Sequence, residues 1–330
     1  MRIRVVGGGA YGCHLAVALI EAGHDVELHE KSSRLFSGAS GNCPARLHKG
    51  FHYPRSAATR WACQQHQLAF RDRYGKFVSS IPTNIYAVAK DESLLDFSTY
   101  TKILAGEVDF AIADPVACGL VNIEGALLTR EQHVNTDAMR AHFEKALDGR
   151  IVFGGPDHPI DDPRWDVSVD ATFCANDAKN VDRYEPCLMV LLEGPVDRSI
   201  TVVDGPFAGI YVWNEEQRLS SLTSAKLTPF SKTCRTYGEA RALLDGLSLC
   251  ELERRAELML DQMALYWPEV KDLYRIADFR TSIRAMPKSG ADARLVDVVR
   301  VGDRGIRIRA GKIDAIFDAQ RVVEEMLECW

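Results

Sequence analysis

The first thirty residues contain two short strand-like hydrophobic runs on either side of a helical pattern. Residues 3–6 are rich in β-branched side chains and predict a strand. Apolar residues then recur at helical spacing from Leu15 to Ala22, and Gly23 predicts the end of that helix. Residues 26–30 return to a strand pattern. This order of strand, helix and strand predicts a βαβ unit at the start of the chain.

The middle of the chain continues with an alternation of helix and strand patterns. Helical spacing is found at residues 59–74, 94–104 and 139–147. Asn135, Thr136 and Asp137 supply the N-terminal cap of the third helix, and Gly149 predicts its end. Strand patterns are found at residues 84–89, 108–113, 119–123 and 166–172.

From residue 185 the strands follow one another without intervening helices. They cover residues 188–192, 200–203, 209–213 and 219–227, and turns containing Gly-Pro, Asp-Gly-Pro and Asn-Glu-Glu separate them. This spacing predicts an antiparallel sheet. One long helix at 237–263 follows, then strands at 276–287, 295–301 and 305–309, and a last helix that Gly311 and Lys312 open and that ends near Leu327.

Composition narrows the class of protein without identifying it. The chain has 330 residues, 46% hydrophobic and 26% charged, with a net charge of −6 that gives a polyanion such as DNA no overall attraction. The nine cysteines include no Cys-x-x-Cys pair, which favours reduced thiols over a disulfide framework and predicts no metal site. Neither a signal peptide nor a membrane anchor is apparent, and we expect a cytoplasmic protein that contacts no membrane.

The loop between the first strand and helix has the spacing Gly-x-Gly-x-x-Gly. Gly7 allows a tight turn, Gly9 lets the backbone approach a pyrophosphate, and Gly12 lets the helix pack closely on the strand. Glu30 ends the second strand, where a carboxylate accepts both hydroxyls of a ribose and disfavours the 2′-phosphate of NADP. The unit therefore predicts a dinucleotide site and leaves the choice between NAD and FAD open.

The segment GASGNCPARLHKGFHYPRS, residues 38–56, follows no secondary-structure period. It combines glycines, histidines, arginines and aromatic residues directly after the dinucleotide unit. The chain must therefore leave Glu30 at the ribose end and return along the cofactor, which favours the longer FAD. We expect residues 40–50 to contact the flavin.

Four motifs together resemble the FAD-dependent oxidoreductases of the D-amino-acid oxidase and glycine oxidase superfamily. The first is VVGGGAYG (residues 5–12) with Glu30, and the second is HKGFHY (48–53), which is similar to an element of L-2-hydroxyglutarate oxidases. The third is VDAT (169–172), although Phe173 stands where glycine is usual, and the last is the pair SIRAMP (282–287) and IRAGKI (308–313).

The resemblance implies an α/β fold in which a Rossmann-like FAD-binding domain is interleaved with an antiparallel-sheet α+β substrate domain. The cofactor domain would comprise residues 1–80, 130–178 and 276–330, and the substrate or cap domain residues 81–129 and 179–275. The implied FAD contacts are Gly7, Gly9, Ala10, Tyr11, Gly12, Glu30, Lys31, Ser40, Gly41, Asn42, Arg46, Leu47, His48, Thr172, Gly311, Lys312 and Ile313.

The same resemblance implies catalytic positions. Arg284 and Arg309 would clamp a substrate carboxylate, because the guanidinium fork matches a carboxylate; the Gly-His pair usual before Arg309 is absent. His48 is a candidate flavin neighbour or acid/base group, and Lys226 is a candidate cation at the flavin face. Each has an ordinary alternative: an ion pair for the arginines, backbone hydrogen bonding for His48, and solvation for Lys226.

The leading functional prediction is oxidation of a C–N bond in an amino acid or secondary amine, with hydride transfer to flavin N5 and hydrolysis of the imine. The alternatives are oxidation of a 2-hydroxy acid, a flavin- or NAD-binding subunit without catalysis, and cleavage of a glycyl group from hypermodified thymine in DNA, as in some phage enzymes. For the last, Arg46, Lys49, Arg55 and Arg60 would meet the DNA backbone. Release of ammonia or an amine would distinguish oxidation of a C–N bond from oxidation of a 2-hydroxy acid.

Overall fold

The computed structural model describes residues 1–155, 159–173, 175–288, 296–309 and 311–330. Within these ranges the strands are β1 Arg2–Val6, β2 Asp25–Glu30, β3 Arg46–Leu47, β4 Val78–Ser80, β5 Thr83–Ala89, β6 Phe110–Ala113, β7 Ile123–Thr129, β8 Gln132–Val134, β9 Ile151–Phe153, β10 Val167–Asp170, β11 Val181–Glu193, β12 Arg198–Val203, β13 Ala208–Asn214, β14 Leu219–Ser224, β15 Arg275–Pro287, β16 Asp297–Val301 and β17 Gly305–Arg309. The α-helices in the same ranges are α1 Ala10–Glu21, α2 Ala39–Asn42, α3 Ala57–Tyr74, α4 Phe97–Leu104, α5 Thr136–Ala146, α6 Tyr237–Asp245, α7 Leu249–Ala264, α8 Val270–Leu273 and α9 Ile316–Glu328.

The first sheet has the strand order β16-β17-β10-β1-β2-β9 and is parallel except for its β16–β17 edge. Ile3 and Val5 of β1 are fully buried and pair with Val167 and Val169 of β10. Near-continuous burial of apolar side chains is typical of a parallel strand that is covered on both faces. Helices α1, α5 and α9 contribute to the same core, so the predicted βαβ unit lies at the centre of an α/β layer.

The second sheet has the order β15-β11-β14-β13-β12-β5-β7-β6. Among the described strands of this sheet, only β5 and β12 pair in parallel. Strands β11 and β15 are both 13 residues long and pair antiparallel along their whole length. Helix α7 packs its buried Met259, Leu260 and Met263 against this sheet. The predicted combination of an α/β layer with an antiparallel sheet is confirmed.

Several predicted elements differ from the observed ones. Asn122 has a φ of +56°, so the strand predicted at 119–123 begins only at Ile123. The helix predicted at 94–104 begins at Phe97, where Asp96 caps it. Strand 276–287, assigned from the sequence to the cofactor domain, lies in the antiparallel sheet. The domain boundaries themselves stay a prediction.

The predicted helix 237–263 is two helices. Ser248 begins α7 with a capping box, in which its side chain accepts from Glu251 N and the Glu251 side chain accepts from Ser248 N. The last helix also starts later than predicted, because Gly311 and Lys312 precede a short 3₁₀ turn, Ile313–Ala315, and α9 begins at Ile316. The strand predicted at 295–301 is observed from Asp297, and Leu295 lies outside the described residues.

Candidate active site

The glycine loop forms a cradle between β1 and α1. Gly7 has a φ of +105°, and a Cβ at Gly12 would lie 1.9 Å from the carbonyl oxygen of Gly7. Alanine at Gly12 would therefore separate the helix from the strand. At the start of α1, the backbone N–H of Ala10 donates to Ser40 Oγ at 2.9 Å, which ties the cradle to the predicted flavin segment.

Glu30 lies beside this cradle at the end of β2. One carboxylate oxygen accepts from Gly8 N at 2.6 Å and the other accepts from Ser32 N at 2.8 Å. Each carboxylate oxygen has further lone pairs, so the group still has acceptor capacity for ribose hydroxyls. The geometry fits the acid at the end of the second strand of a dinucleotide site.

The N-terminal end of the last helix lies against the same cradle. The hydroxyl of Tyr11 donates to the carbonyl oxygen of Lys312 at 2.6 Å and accepts from Gly311 N at 3.3 Å. The Lys312 ammonium lies 4.5 Å from the centre of the Tyr53 ring and contacts the thiol of Cys63. Asp314 is fully buried, neither of its side-chain oxygens has a hydrogen-bond partner among the described residues, and burial raises its pKa. Lys312, His48 and His66 act in the opposite direction and lower the pKa of this carboxyl group.

A second buried carboxylate lies under the loop that carries His48. Glu131 is fully buried, and one of its oxygens accepts from Lys49 N at 2.8 Å and lies 3.5 Å from His48 Nδ1. The hydroxyl of Tyr86 donates to its other oxygen. Burial alone would raise the pKa of Glu131, but His48 and the donated hydrogen bonds hold it at about 2. This carboxylate is therefore ionised at neutral pH.

Two arginines lie on the wall formed by the antiparallel sheet. Arg46 is buried, donates to Thr201 Oγ1 at 2.9 Å and stacks 4.3 Å from the centre of the Tyr211 ring. Among the described residues no carboxylate lies within 4.0 Å of its guanidinium. Arg284 of β15 is partly exposed and pairs with the buried Glu185 of β11, with Nε at 3.0 Å. Arg46 is thus a cation without a counter-ion, whereas Arg284 has one.

The glycine cradle, Glu30, His48, Lys312 and the two arginines line one cavity of about 1790 Å³ between the two sheets. Sites for drug-sized ligands occupy about 300–1,000 Å³, so this cavity suits a dinucleotide together with a substrate. Eight Lys or Arg residues but only four Asp or Glu residues line it, although the chain carries a net charge of −6. The glycine cradle, Glu30 and this positive lining fit the adenosine ribose and pyrophosphate of FAD.

Most of the predicted contacts line the cavity. They are Gly7, Gly9, Ala10, Tyr11, Glu30, Lys31, Ser40, Arg46, His48, Thr172, Arg284, Gly311, Lys312 and Ile313. The segment at residues 38–56 contributes much of the lining, including the partly buried Cys43, whose thiol lies 3.3 Å from Ser282 Oγ. The structure thus brings the sequence motifs from both ends of the chain to one place.

Six predicted residues are not in the lining. Gly12 and Gly41 are required by close backbone packing, since a Cβ at Gly41 would lie 2.1 Å from the Phe36 carbonyl oxygen. Asn42 donates to the carbonyl oxygens of Ser37 and Gly38 and shapes the loop, while Leu47 lies in the hydrophobic core. The other two predicted residues outside the lining are Lys226 and Arg309.

Lys226 and Arg309 therefore require correction as candidates for direct contact with substrate or flavin. Lys226 is exposed on the turn after β14. Arg309 Nε lies 2.8 Å from Asp177 and its Nη1 lies 2.7 Å from Asp297, so two acids hold this guanidinium away from the cavity. Neighbouring Arg307, two residues earlier on the strand, lines the cavity and pairs with Asp170 and Asp177.

The basic residues proposed for a DNA backbone are also mostly turned inward. Arg46 is buried, Arg60 is buried and its guanidinium pairs with Glu107, and Arg55 pairs with Asp204 at 2.5 Å. Tyr211 and Trp213 of β13 are buried and absent from the cavity lining.

Sequence reasoning missed Glu131 and the cavity-lining residues of α6. Thr236, Tyr237, Gly238, Arg241 and Asp245 line the cavity from this helix. No local motif distinguishes them, because their position depends on the packing of α6 against β11 and β15. No group of three or more metal-ligating side chains is found in the described residues. In those residues there is also no helix long and apolar enough to cross a membrane.

Comparison with known proteins adds a family assignment to this geometry. The family model described as FAD dependent oxidoreductase, DAO, matches residues 2–138. The chain is 34% identical over 338 residues to the FAD-dependent monooxygenase FPY4 of Fusarium mangiferae, covering 98% of this chain and 90% of that protein.

Solved structures agree on the fold. The glycine oxidase of Geobacillus kaustophilus superposes with a TM-score of 0.69 at 14% identity, covering 99% of this chain and 95% of that one. NikD, described as an unusual amino acid oxidase essential for nikkomycin biosynthesis, superposes with a TM-score of 0.69 at 14% identity. The match covers 97% of this chain and 91% of that one. At such identities these likenesses establish the fold alone.

Proposed function

Because the chain belongs to the DAO family of FAD-dependent oxidoreductases, we propose that it oxidises the C–N bond of an amino acid or secondary amine. FAD is its cofactor, and when bound it supplies the two-electron acceptor for the hydride that leaves the donor carbon. The nitrogen lone pair then completes a C=N bond, and water splits this imine into a carbonyl compound and an amine.

The observation that supports this proposal is the unneutralised cation at Arg46 on the cavity wall. A carboxylate substrate would give Arg46 the counter-ion that the described residues do not provide. Arg284 lies on the same wall, but Glu185 compensates its charge. We therefore assign the main electrostatic contact to Arg46 and a supporting hydrogen-bonding contact to Arg284.

The guanidinium of Arg46 is buried on the cavity wall between the two sheets. A dry site strengthens the attraction between Arg46 and a carboxylate, because the effective dielectric constant is lower than in water. Glycine oxidase and NikD, both similar in fold, are named for oxidation of amino acids, which is in keeping with this proposal.

A second candidate is oxidation of a CH–OH group, as in a 2-hydroxy acid. The specific observation in its favour is His48, which lines the cavity beside the ionised Glu131. An alcohol must lose its hydroxyl proton as the hydride leaves, and a histidine beside a carboxylate is a suitable base. The carboxylate contact with Arg46 would be the same.

The test is anaerobic reduction of the purified FAD protein by candidate donors. Amino acids, N-alkyl glycines, 2-hydroxy acids and modified nucleosides are added in turn, and loss of the flavin absorption band is followed. We expect amino acids or N-alkyl glycines to reduce the flavin and to yield ammonia or a primary amine. Reduction by 2-hydroxy acids alone would establish the second candidate.

Two further outcomes would overturn both candidates. The relative FPY4 is named a monooxygenase; reduction by NADH or NADPH alone, followed by incorporation of one atom of O₂ into a product, would place this chain in that class instead. A purified protein that binds NAD and no flavin would contradict the cofactor.

The role of Arg46 is tested with Arg46→Met, and Arg309→Gln serves as the comparison variant. We expect Arg46→Met to raise KM for a carboxylate donor by about 10- to 100-fold, in line with about 1.5–3 kcal/mol for a charge-assisted hydrogen bond. Arg309→Gln should leave KM near its original value, because Arg309 pairs with Asp177 and Asp297 outside the lining. Equal KM values for wild type and Arg46→Met would contradict the assignment.

A further inference from the structure

Glu131 is a buried anion for which the DAO motifs provide no explanation. It lies between β7 and β8, is fully buried, and is ionised at neutral pH. A buried carboxylate is costly unless hydrogen bonds and a cation compensate it. Lys49 N and the Tyr86 hydroxyl supply the hydrogen bonds. Of the basic side chains in the described residues, only His48 lies within 4.0 Å of it.

One particular ring nitrogen of His48 faces Glu131. It is Nδ1 that lies 3.5 Å from the carboxylate, and Nδ1 is buried without another hydrogen-bond partner among the described residues. The His48 ring also lines the cavity. A separation of 3.5 Å is longer than a good hydrogen bond, and such contacts commonly shorten when substrate binds.

We propose that Glu131 is a positioning residue that keeps the proton of neutral His48 on Nδ1, so that Nε2 accepts the N–H or O–H proton of the donor. The proposal deepens the proposed function and rests on it. It assigns His48 the role of base and gives Glu131 no contact with substrate.

The proton balance follows from the reaction. Oxidation of R₂CH–XH to R₂C=X, where X is nitrogen or oxygen, removes one hydride from carbon and one proton from X. The hydride goes to FAD, the proton goes to Nε2, and the electron pair of the X–H bond becomes the new C=X bond. An amine that binds as its ammonium form gives its one transferred proton to Nε2 before the hydride leaves; the nitrogen lone pair then forms the C=N bond of a protonated imine, which water hydrolyses. The imidazolium that forms has its second N–H facing Glu131, which stabilises the added charge.

Other charged and titratable groups surround the ring. Those on its own loop are Lys49, His52 and Tyr53, with the His52 and Tyr53 rings 5.7 and 5.3 Å away. From other elements, the carboxylates of Glu131 and Asp314 interact electrostatically with His48. Tyr86 of β5 interacts with Glu131 and with Arg46 of β3, and Lys312 and His66 of α3 interact with Asp314. Glu131 is the group among them that contacts Nδ1.

The first test reads the tautomer directly in the FAD-loaded protein labelled with [¹⁵N]histidine. His48→Gln identifies the His48 signals. We expect wild-type His48 in its neutral form to carry its proton on Nδ1, and Glu131→Gln to abolish that preference. Asp162→Asn removes a different buried carboxylate, one that pairs with Arg164 and Arg4, and should leave the His48 signals unchanged. A wild-type ring protonated on Nε2 would overturn the proposal.

The second test uses the pH profile of flavin reduction by a donor. Without the anion beside the imidazolium, the acidic limb of kcat/KM should move to lower pH. The value of kcat should fall and KM should change little. A purely structural role would instead lower FAD content or stability and leave the limb in place. An unmoved limb in Glu131→Gln would therefore count against the proposal.

Two additional results allow the role of Glu131 to be judged separately from the proposed oxidation reaction. If Glu131→Gln does not fold, Glu131→Asp retains the charge one methylene further away and should show an intermediate tautomer preference. If no amine or hydroxy acid reduces the wild-type flavin, the proposed function fails, and the NMR result still decides whether Glu131 orients His48.

Discussion

His14 makes the stability of the fold depend on pH in a calculable way. It is buried where α1, α3 and α9 meet, with Nδ1 2.7 Å from the Tyr74 hydroxyl and Nε2 2.8 Å from Gln320 Oε1. The Gln320 oxygen accepts only, so Nε2 carries the proton and donates, and Nδ1 accepts from Tyr74. The neutral ring therefore satisfies both contacts, and protonation of Nδ1 would remove one.

Burial lowers the pKa of His14 from 6.5 to about 4. Below pH 6.5 the unfolded chain binds a proton that the folded protein does not bind until about pH 4. The contribution of His14 is thus complete above pH 6.5 and is lost as the pH falls towards 4. A pH of about 5 lies about 1.5 units below the pKa of histidine in the unfolded chain. At ~1.4 kcal/mol per unit, the free energy of unfolding is therefore lower by about 2 kcal/mol.

The assay compares urea unfolding of wild type and His14→Gln at about pH 8 and about pH 5. The glutamine amide keeps one donor and one acceptor but does not titrate. FAD is held at the same excess throughout, because bound ligand stabilises the folded state. We expect wild type to lose about 2 kcal/mol more than the variant between the two pH values. Equal losses, within about 0.5 kcal/mol, would refute the reasoning.

The remaining predictions concern the cofactor cradle and a helix boundary. Gly12→Ala should lower the flavin bound per protein at least tenfold, measured by absorbance, because its Cβ would lie 1.9 Å from a carbonyl oxygen; Gly75→Ala, where nothing lies within 4 Å, is the matched control and should retain flavin. Glu30→Ala removes two backbone hydrogen bonds and should weaken FAD binding by about 10- to 100-fold in a titration. Ser248→Ala removes the capping box of α7 and should cost about 1 kcal/mol in urea unfolding, with unchanged flavin content; a loss of flavin there would contradict the separation of helix cap and site.

The parts of the site that sequence predicts are those built by local chemistry. Gly7, Gly9, Gly12 and Glu30 all lie within one βαβ unit, where the strand, the tight turn and the helix N-terminus are fixed by neighbouring residues. The same applies to the segment around Ser40 and His48, since it must follow the second strand. Here Gly7, Gly9, Glu30, Ser40 and His48 line the cavity, whereas Gly12, Gly41, Asn42 and Leu47 do not.

The parts that sequence does not predict depend on contacts between distant segments. Whether an arginine on a strand faces the cavity depends on its partners: Arg309 meets Asp177, 132 residues away, whereas Arg284 meets Glu185, 99 residues away. Glu131 acquires its role only when β8 places it under His48. The break between α6 and α7 is different, because Ser248 and Glu251 already have the spacing of a capping box and were available as a signal.

The order of strands in the parallel sheet affects how the protein is made. Strand β1 is synthesised first, but its neighbour β10 begins at Val167, and β17, which completes that side, begins at Gly305. At ~5–20 residues per second, about 300 residues take about 15 to 60 s to translate. Ile3 and Val5 lack their β10 partners for about 8 to 32 s of that time, because about 160 residues separate the two strands. Native pairing at such sequence separation is slow, so the nascent dinucleotide unit waits for β10 before one edge of its first strand is covered.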